Sequence, residues 1–86
     1  MDVQYKPTFV RQLNALEKAL QDEVIEKVEL FKNIQNHRLL KVHKLKGRLK
    51  DRCSFSVNYK TRVVFSYLSK KEVVLLAVGD HDVYKI

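Results

Sequence analysis

Arg62-Val63-Val64-Phe65-Ser66-Tyr67-Leu68, then Ser69-Lys70-Lys71-Glu72, then Val73-Val74-Leu75-Leu76-Ala77-Val78-Gly79 is the stretch on which the fold turns. Its two apolar runs are rich in β-branched and aromatic residues, the composition of strands. Near-continuous apolarity implies burial on both faces, hence a central place in a sheet. The four polar residues between the runs suit a hairpin connection. Just upstream, Cys53, Phe55 and Val57 alternate with Ser54 and Ser56, the period-two pattern of a half-buried strand, and Asn58 to Thr61 supplies turn residues. The second half of the chain therefore predicts a three-stranded meander, with Asp80 to Ile86 as a polar exit.

Working outward, the first half is helical. Phe9, Val10, Leu13, Leu16 and Leu20 recur at three- and four-residue spacing, and Val24, Ile25, Val28, Phe31 and Ile34 repeat the pattern. Pro7 suits a first helical turn, where its missing N–H costs little. Gln21-Asp22 is the expected break, since a single 28-residue helix is too long for so small a domain to cover. Met1 to Lys6, with Val3 and Tyr5 two apart, predicts an edge strand. The fold class is thus α+β: an N-terminal strand and a two-helix hairpin packed on one face of an antiparallel sheet that ends in the meander. The other face is expected to be free as a working surface.

Eighty-six residues make one domain, 1–86. Seventeen Lys and Arg against ten Asp and Glu leave +7, a balance that favours a polyanion or an acidic protein as partner. The lone Cys53 cannot form an internal disulfide and points to a reducing, cytoplasmic setting. No apolar run approaches the ~18 residues of a membrane span, and no secretory segment is evident at the N-terminus. From 38 to 52 seven cations (Arg38, Lys41, Lys44, Lys46, Arg48, Lys50, Arg52) face one anion, Asp51, around Gly47. This reads as a basic loop with short extended pieces.

Several chemistries lack their residues. There is no Walker-type phosphate loop or dinucleotide fingerprint, and one Cys with three scattered His does not match zinc spacing. No metal and no cofactor are expected. The carboxylates Glu17, Glu23, Glu26 and Glu29 alternate with lysines as on a solvated helix surface. What remains are cations, imidazoles and phenols, which suit chemistry on a phosphodiester. RNA cleavage through the 2′-hydroxyl needs a base, an acid and positive charge on the phosphate oxygens. His81, His43, Arg62 and the cations between 44 and 52 are candidates for these roles. His37 and Cys53 read as structural.

The run His43-Lys44-Leu45-Lys46-Gly47, then Arg62 to Tyr67, then Val78-Gly79-Asp80-His81-Asp82-Val83-Tyr84 resembles the RelE/ParE superfamily of toxin–antitoxin toxins. Three segments in the family's order carry the resemblance, over nearly the whole chain. It implies a compact microbial-RNase-like α+β fold and an acidic antitoxin as partner. In the RelE-like branch such toxins cut mRNA in the ribosomal A site by metal-independent 2′-hydroxyl attack; in the ParE-like branch they inhibit gyrase. The His and Tyr near the end look like the RNase branch. By that correspondence Arg62 contacts the scissile phosphate, His81 is a general acid or base, Tyr84 stacks on or bonds a nucleotide, and His43 supports the site. Lys44, Lys46, Arg48, Lys50 and Arg52 would bind RNA or the ribosome. Ser54 and Ser56 depart from the pattern, since relatives often carry catalytic Lys or Arg there. The alternatives are a ParE-like gyrase inhibitor without nuclease activity and a non-toxic, antitoxin-binding homologue.

Overall fold

The computed structural model describes residues 1–47 and 51–85. Its elements are β1 (Asp2–Tyr5), α1 (Pro7–Asn14), α2 (Lys18–Phe31), β2 (His43–Lys44), β3 (Cys53–Ser56), β4 (Arg62–Tyr67) and β5 (Glu72–Gly79), with 3-10 turns at Ile34–Asn36 and His81–Lys85. The strands form a five-stranded sheet in the order β1-β5-β4-β3-β2. The expected meander β3-β4-β5 is antiparallel, and β2 extends it antiparallel at one edge. At the other edge β1 runs parallel to β5, Asp2 opposite Glu72 and Tyr5 opposite Leu75, so the sheet is mixed. Everything from α1 to β4 lies between these two strands, giving the chain ample length for the crossover a parallel pair needs.

Pro7 begins α1 as expected, but the helical break falls at residues 15–17 and not at Gln21-Asp22. Leu16 lies in the connection and Leu20 on α2, so the stripe from Phe9 to Leu20 is shared between two helices. Gln21 supplies the physical reason. From the first turn of α2 its Nε2 donates to the carbonyls of Leu16 (2.8 Å) and Asn14 (3.2 Å), acceptors that the end of α1 leaves without helical partners.

Val24, Val28 and Phe31 form the buried edge of α2. They pack, with Phe9 of α1, on a sheet face built from Cys53, Phe55, Val63, Phe65, Val73, Leu75 and Val78. Phe31 is the joint between the layers. Its ring stacks on Phe55 (centroids 4.5 Å apart, 17° between planes) and meets Phe65 edge-on (4.8 Å, 61°). His37 stacks on the same ring at 4.7 Å and bonds the Phe31 carbonyl through Nε2 at 2.8 Å, which makes it a structural histidine.

On β5 the helix-facing residues are Val73, Leu75 and then Val78, three apart rather than two. The cause is a bulge: Val64 opposes Ala77 and Phe65 opposes Leu75, leaving Leu76 as the extra residue. The far face of the sheet is less open than the sequence implies. The segment expected as a polar exit folds back, and buried Val83 joins Val64 and Ala77 in a second small core, with Leu45, Leu76 and Tyr84 against it. Val83 and Tyr84, adjacent in a short polar segment, set no period, so this closure has no clear signature in the sequence. No helix among the described residues is long and apolar enough to cross a membrane.

Replacing Phe31 by Ala is expected to cost about 3–5 kcal/mol, much of the stability of a domain this size. A urea midpoint unchanged from wild type would remove Phe31 as the joint. Burial pushes the Cys53 thiol up from its ordinary value, with Lys44 pulling weakly the other way. The folded chain thus keeps a proton that the unfolded chain releases at pH ~8.5, so this stability is intact below that pH and is lost as pH rises from there through the raised folded-state value. Between pH 7 and pH 10 wild type should therefore lose more urea resistance than Cys53→Ala.

Candidate functional site

Directly paired residues of a sheet share a face, so register locates the site. Ser54, Val64 and Ala77 form one row across β3, β4 and β5, and Ser56, Arg62 and Gly79 form the next row on that face. It is the face away from the helices. Arg62 thus opens β4 beside the point where β5 gives way to the Asp80–Asp82 corner. Arg62 and His81 line one open groove of about 500 Å³, together with Tyr59, Lys60, Asp80 and Asp82.

Arg62 is fixed without being neutralised. Its Nη1 donates to the carbonyls of Asn58 (2.6 Å) and Thr61 (3.2 Å), and among the described residues no carboxylate pairs with it. Two of its five N–H donors hold the guanidinium in place, and those on Nε and Nη2 stay available to an anion. The turn that offers these carbonyls is itself locked. Asn58 Oδ1 accepts from the N–H groups of Lys60 (2.9 Å) and Thr61 (2.8 Å), and its Nδ2 donates to Glu23 on α2 at 2.7 Å.

His81 begins the final 3-10 turn and is exposed. Its ring meets Tyr84 edge-on, centroids 5.9 Å apart at 75°. Tyr84 in turn pairs its hydroxyl with Ser54 Oγ at 3.0 Å. Ser54 is fully buried, so its hydroxyl depends on this partner. The serine that stands where a cation was sought therefore anchors the tyrosine. Arg62, His81 and Tyr84 lie together on the outer face, linked through the groove and the ring contact.

His43 stands opposite Ser54 on the edge strand β2, exposed, with Nδ1 on the Lys41 carbonyl at 2.8 Å. No contact joins it to His81 or Arg62. Lys44 is opposite Cys53, so it belongs to the other face of that edge. Lys46 is exposed, and Arg52 is half-buried with its carbonyl accepting from Leu45 N–H at 2.9 Å. Arg48 and Lys50 lie outside the described residues. Among the described residues the ion pairs Lys18–Asp22, Lys27–Glu26 and Lys32–Glu29 are all on or beside α2, and none involves a cation of the basic loop. No group of three or more His, Cys, Asp or Glu side chains among the described residues is placed to hold a metal ion.

Sequence reasoning passed over Tyr59 and Lys60, which share the wall of the Arg62–His81 groove. The available signal was an aromatic residue beside a lysine at the tip of a turn.

Removing the Tyr84 hydroxyl in Tyr84→Phe should cost about 1–2 kcal/mol by leaving the Ser54 hydroxyl buried and unbonded. Tyr84→Phe with Ser54→Ala should be less destabilised than Tyr84→Phe alone, because no orphaned group remains. Additive losses in the urea midpoints would mean that the pair is not coupled.

No protein-family model and no curated protein matches this sequence. Solved structures do match its fold. YafQ from E. coli superposes with a TM-score of 0.76 at 15% identity, covering 93% of this chain and 92% of its own. The toxin–antitoxin complex RelBE2 from Mycobacterium tuberculosis contains a chain matching at 0.74 and 21% identity, over 93% of this chain and 96% of that one. A conserved hypothetical protein from Helicobacter pylori matches at 0.74 and 20%, covering 98% of both chains. With its two helices on a mixed five-stranded sheet, the chain adopts the RelE-like toxin fold.

Proposed function

We propose that the protein is the toxin of a type II toxin–antitoxin system, a cytoplasmic endoribonuclease that cuts mRNA in the ribosomal A site and so inhibits translation. The observation that carries this reading is the meeting of an unneutralised arginine and an exposed imidazole in one groove, with a phenol against the imidazole, on the sheet face away from the helices. In the reaction the 2′-hydroxyl attacks the adjacent phosphorus, its proton passing to a base. The P–O5′ bond breaks as the departing 5′-oxygen takes up a proton. The products are a 2′,3′-cyclic phosphate and a 5′-hydroxyl end, and the nucleophile belongs to the substrate itself.

Arg62, with its remaining donors, stabilises charge on the non-bridging oxygens. His81 is the group that moves a proton. Tyr84, held by Ser54, positions the nucleotide and the imidazole, and His43 supports the site from the edge strand. Lys44, Lys46, Arg48, Lys50 and Arg52 draw in RNA or the ribosome through charge. The protein partner in this reading is a small acidic antitoxin, whose capture the basic surface accelerates. The similarity to the toxin–antitoxin complex RelBE2 supports such a partner.

One observation favours a second reading, gyrase inhibition without cleavage: Ser54 and Ser56 put no charge on β3, and Ser54 is buried. Induction in cells separates the two. Truncated transcripts cut within codons follow from the first reading, and a DNA-damage response with intact transcripts from the second. His81→Ala should slow cleavage at least about 100-fold and Arg62→Ala about 100- to 1,000-fold, with the fold retained by circular dichroism. Growth arrest undiminished in both variants would remove these assignments.

A further inference from the structure

We propose that Tyr59 is a base-stacking residue, and that the groove it forms with Lys41 and Arg62 is the subsite for a nucleotide of single-stranded RNA beside the cut. The inference rests on the ribonuclease reading and extends it to Tyr59, which neither the family resemblance nor the sequence singled out.

Tyr59 is the most exposed large hydrophobic side chain among the described residues, at 91%. Its backbone is nonetheless rigid, because the Asn58–Thr61 turn is closed by Val57 N–H on the Thr61 carbonyl (2.9 Å) and by both Asn58 Oδ1 bonds. An aromatic ring held out into water on a locked turn is preorganised for a flat partner, since little backbone freedom remains to be lost on binding.

Three grooves meet at Tyr59, and their charges choose among them. The one toward α2 is lined by Glu17 and Glu23, which repel a phosphate. The second is the Arg62–His81 groove, where Arg62 and Lys60 stand against Asp80 and Asp82. The third, about 420 Å³, runs from Tyr59 and Arg62 to Lys27 and Lys41 over an apolar floor that includes Leu30 and Leu40, and no carboxylate lines it. Cations at the rim and an apolar floor suit a nucleotide, with its phosphate at the lysines and its base against carbon. Arg62 and Tyr59 wall both of the last two grooves, so a strand whose scissile phosphate sits at Arg62 and His81 continues naturally into the third.

Lys41 supplies an independent pointer. It is the one described non-glycine residue with positive φ, 59°, a conformation that costs an L residue free energy and gathers at ligand sites. That backbone also places the carbonyl which orients His43.

The test uses the purified full chain, with anisotropy on a fluorescently labelled single-stranded RNA oligonucleotide for binding and gel analysis of a labelled mRNA on programmed ribosomes for cleavage. Tyr59→Ala should weaken binding roughly 5- to 100-fold while leaving the salt dependence unchanged, because stacking is lost and charge is not. Tyr59→Trp should bind as wild type or tighter. Lys41→Ala should instead reduce the slope of log affinity against log salt by about 0.7. Circular dichroism and urea midpoints equal to wild type keep the exposed-site variants interpretable. If wild type cuts RNA and Tyr59→Ala binds and cuts equally well, the stacking proposal falls and the ribonuclease reading stands. If wild type cuts no mRNA on the ribosome, the ribonuclease reading falls and takes the stacking proposal with it. If a glutamate- and leucine-rich peptide of matched charge depends on Tyr59 while RNA does not, the groove belongs to a protein partner and the proposal is overturned.

Discussion

One extra residue in β5 sets the geometry on which the rest depends. With Leu76 bulged, Val73, Leu75 and Val78 all reach the helices, and Ala77 and Gly79 turn to the opposite face. Strict alternation would send Val78 outward and Ala77 and Gly79 inward. The bulge therefore completes the helix-facing core and places the end of β5 under Arg62 in a single step. Where β1 has ended, Val78 N–H finds a side-chain acceptor instead of a strand, donating to Gln12 Oε1 of α1 at 2.9 Å. The helix layer thus holds β5 just past its irregularity, two residues from the corner that carries His81.

How far this was legible follows from which signals are local. β3, β4 and β5 announce themselves by β-branched and aromatic runs, and the Phe31 stripe by helical spacing. The bulge does not, because in Val73-Val74-Leu75-Leu76-Ala77-Val78 every residue is apolar and a change of parity leaves no mark. The helix break was displaced for a similar reason. Leu16 and Leu20 fit one stripe, no Gly or Pro intervenes, and the deciding hydrogen bonds come from Gln21, a residue that reads equally well as a turn. The parallel edge of β1 is a long-range pairing, and Val3 with Tyr5 can specify a strand but not its direction.

The site divides along the same line. Arg62 and His81 stood out as candidates by their chemistry and Tyr84 through the resemblance to a family pattern, and their proximity follows from Arg62 pairing with Gly79. That Ser54 holds Tyr84 was invisible, because a serine in a strand carries no sign of its cross-sheet partner. The loop cations were legible as charge, whereas their direction was not. Lys44 and His43 are sequence neighbours and so take opposite faces of the edge strand.

Charge placement links fold to function without any single contact doing so. The ion pairs gather on and beside α2, which removes lysines and carboxylates together from the field of the opposite face. Arg62 is held by two carbonyl oxygens, which orient a guanidinium but leave its full charge. An arginine clamped by carboxylates would be equally ordered yet partly cancelled, and a phosphate would have to displace its partners. Here the clamp is the Asn58 turn, and Asn58 is tied to Glu23 on α2. The helix layer therefore reaches through the turn to set the position of the cation, so that its ordering is met by folding and would not fall on an anion bound there.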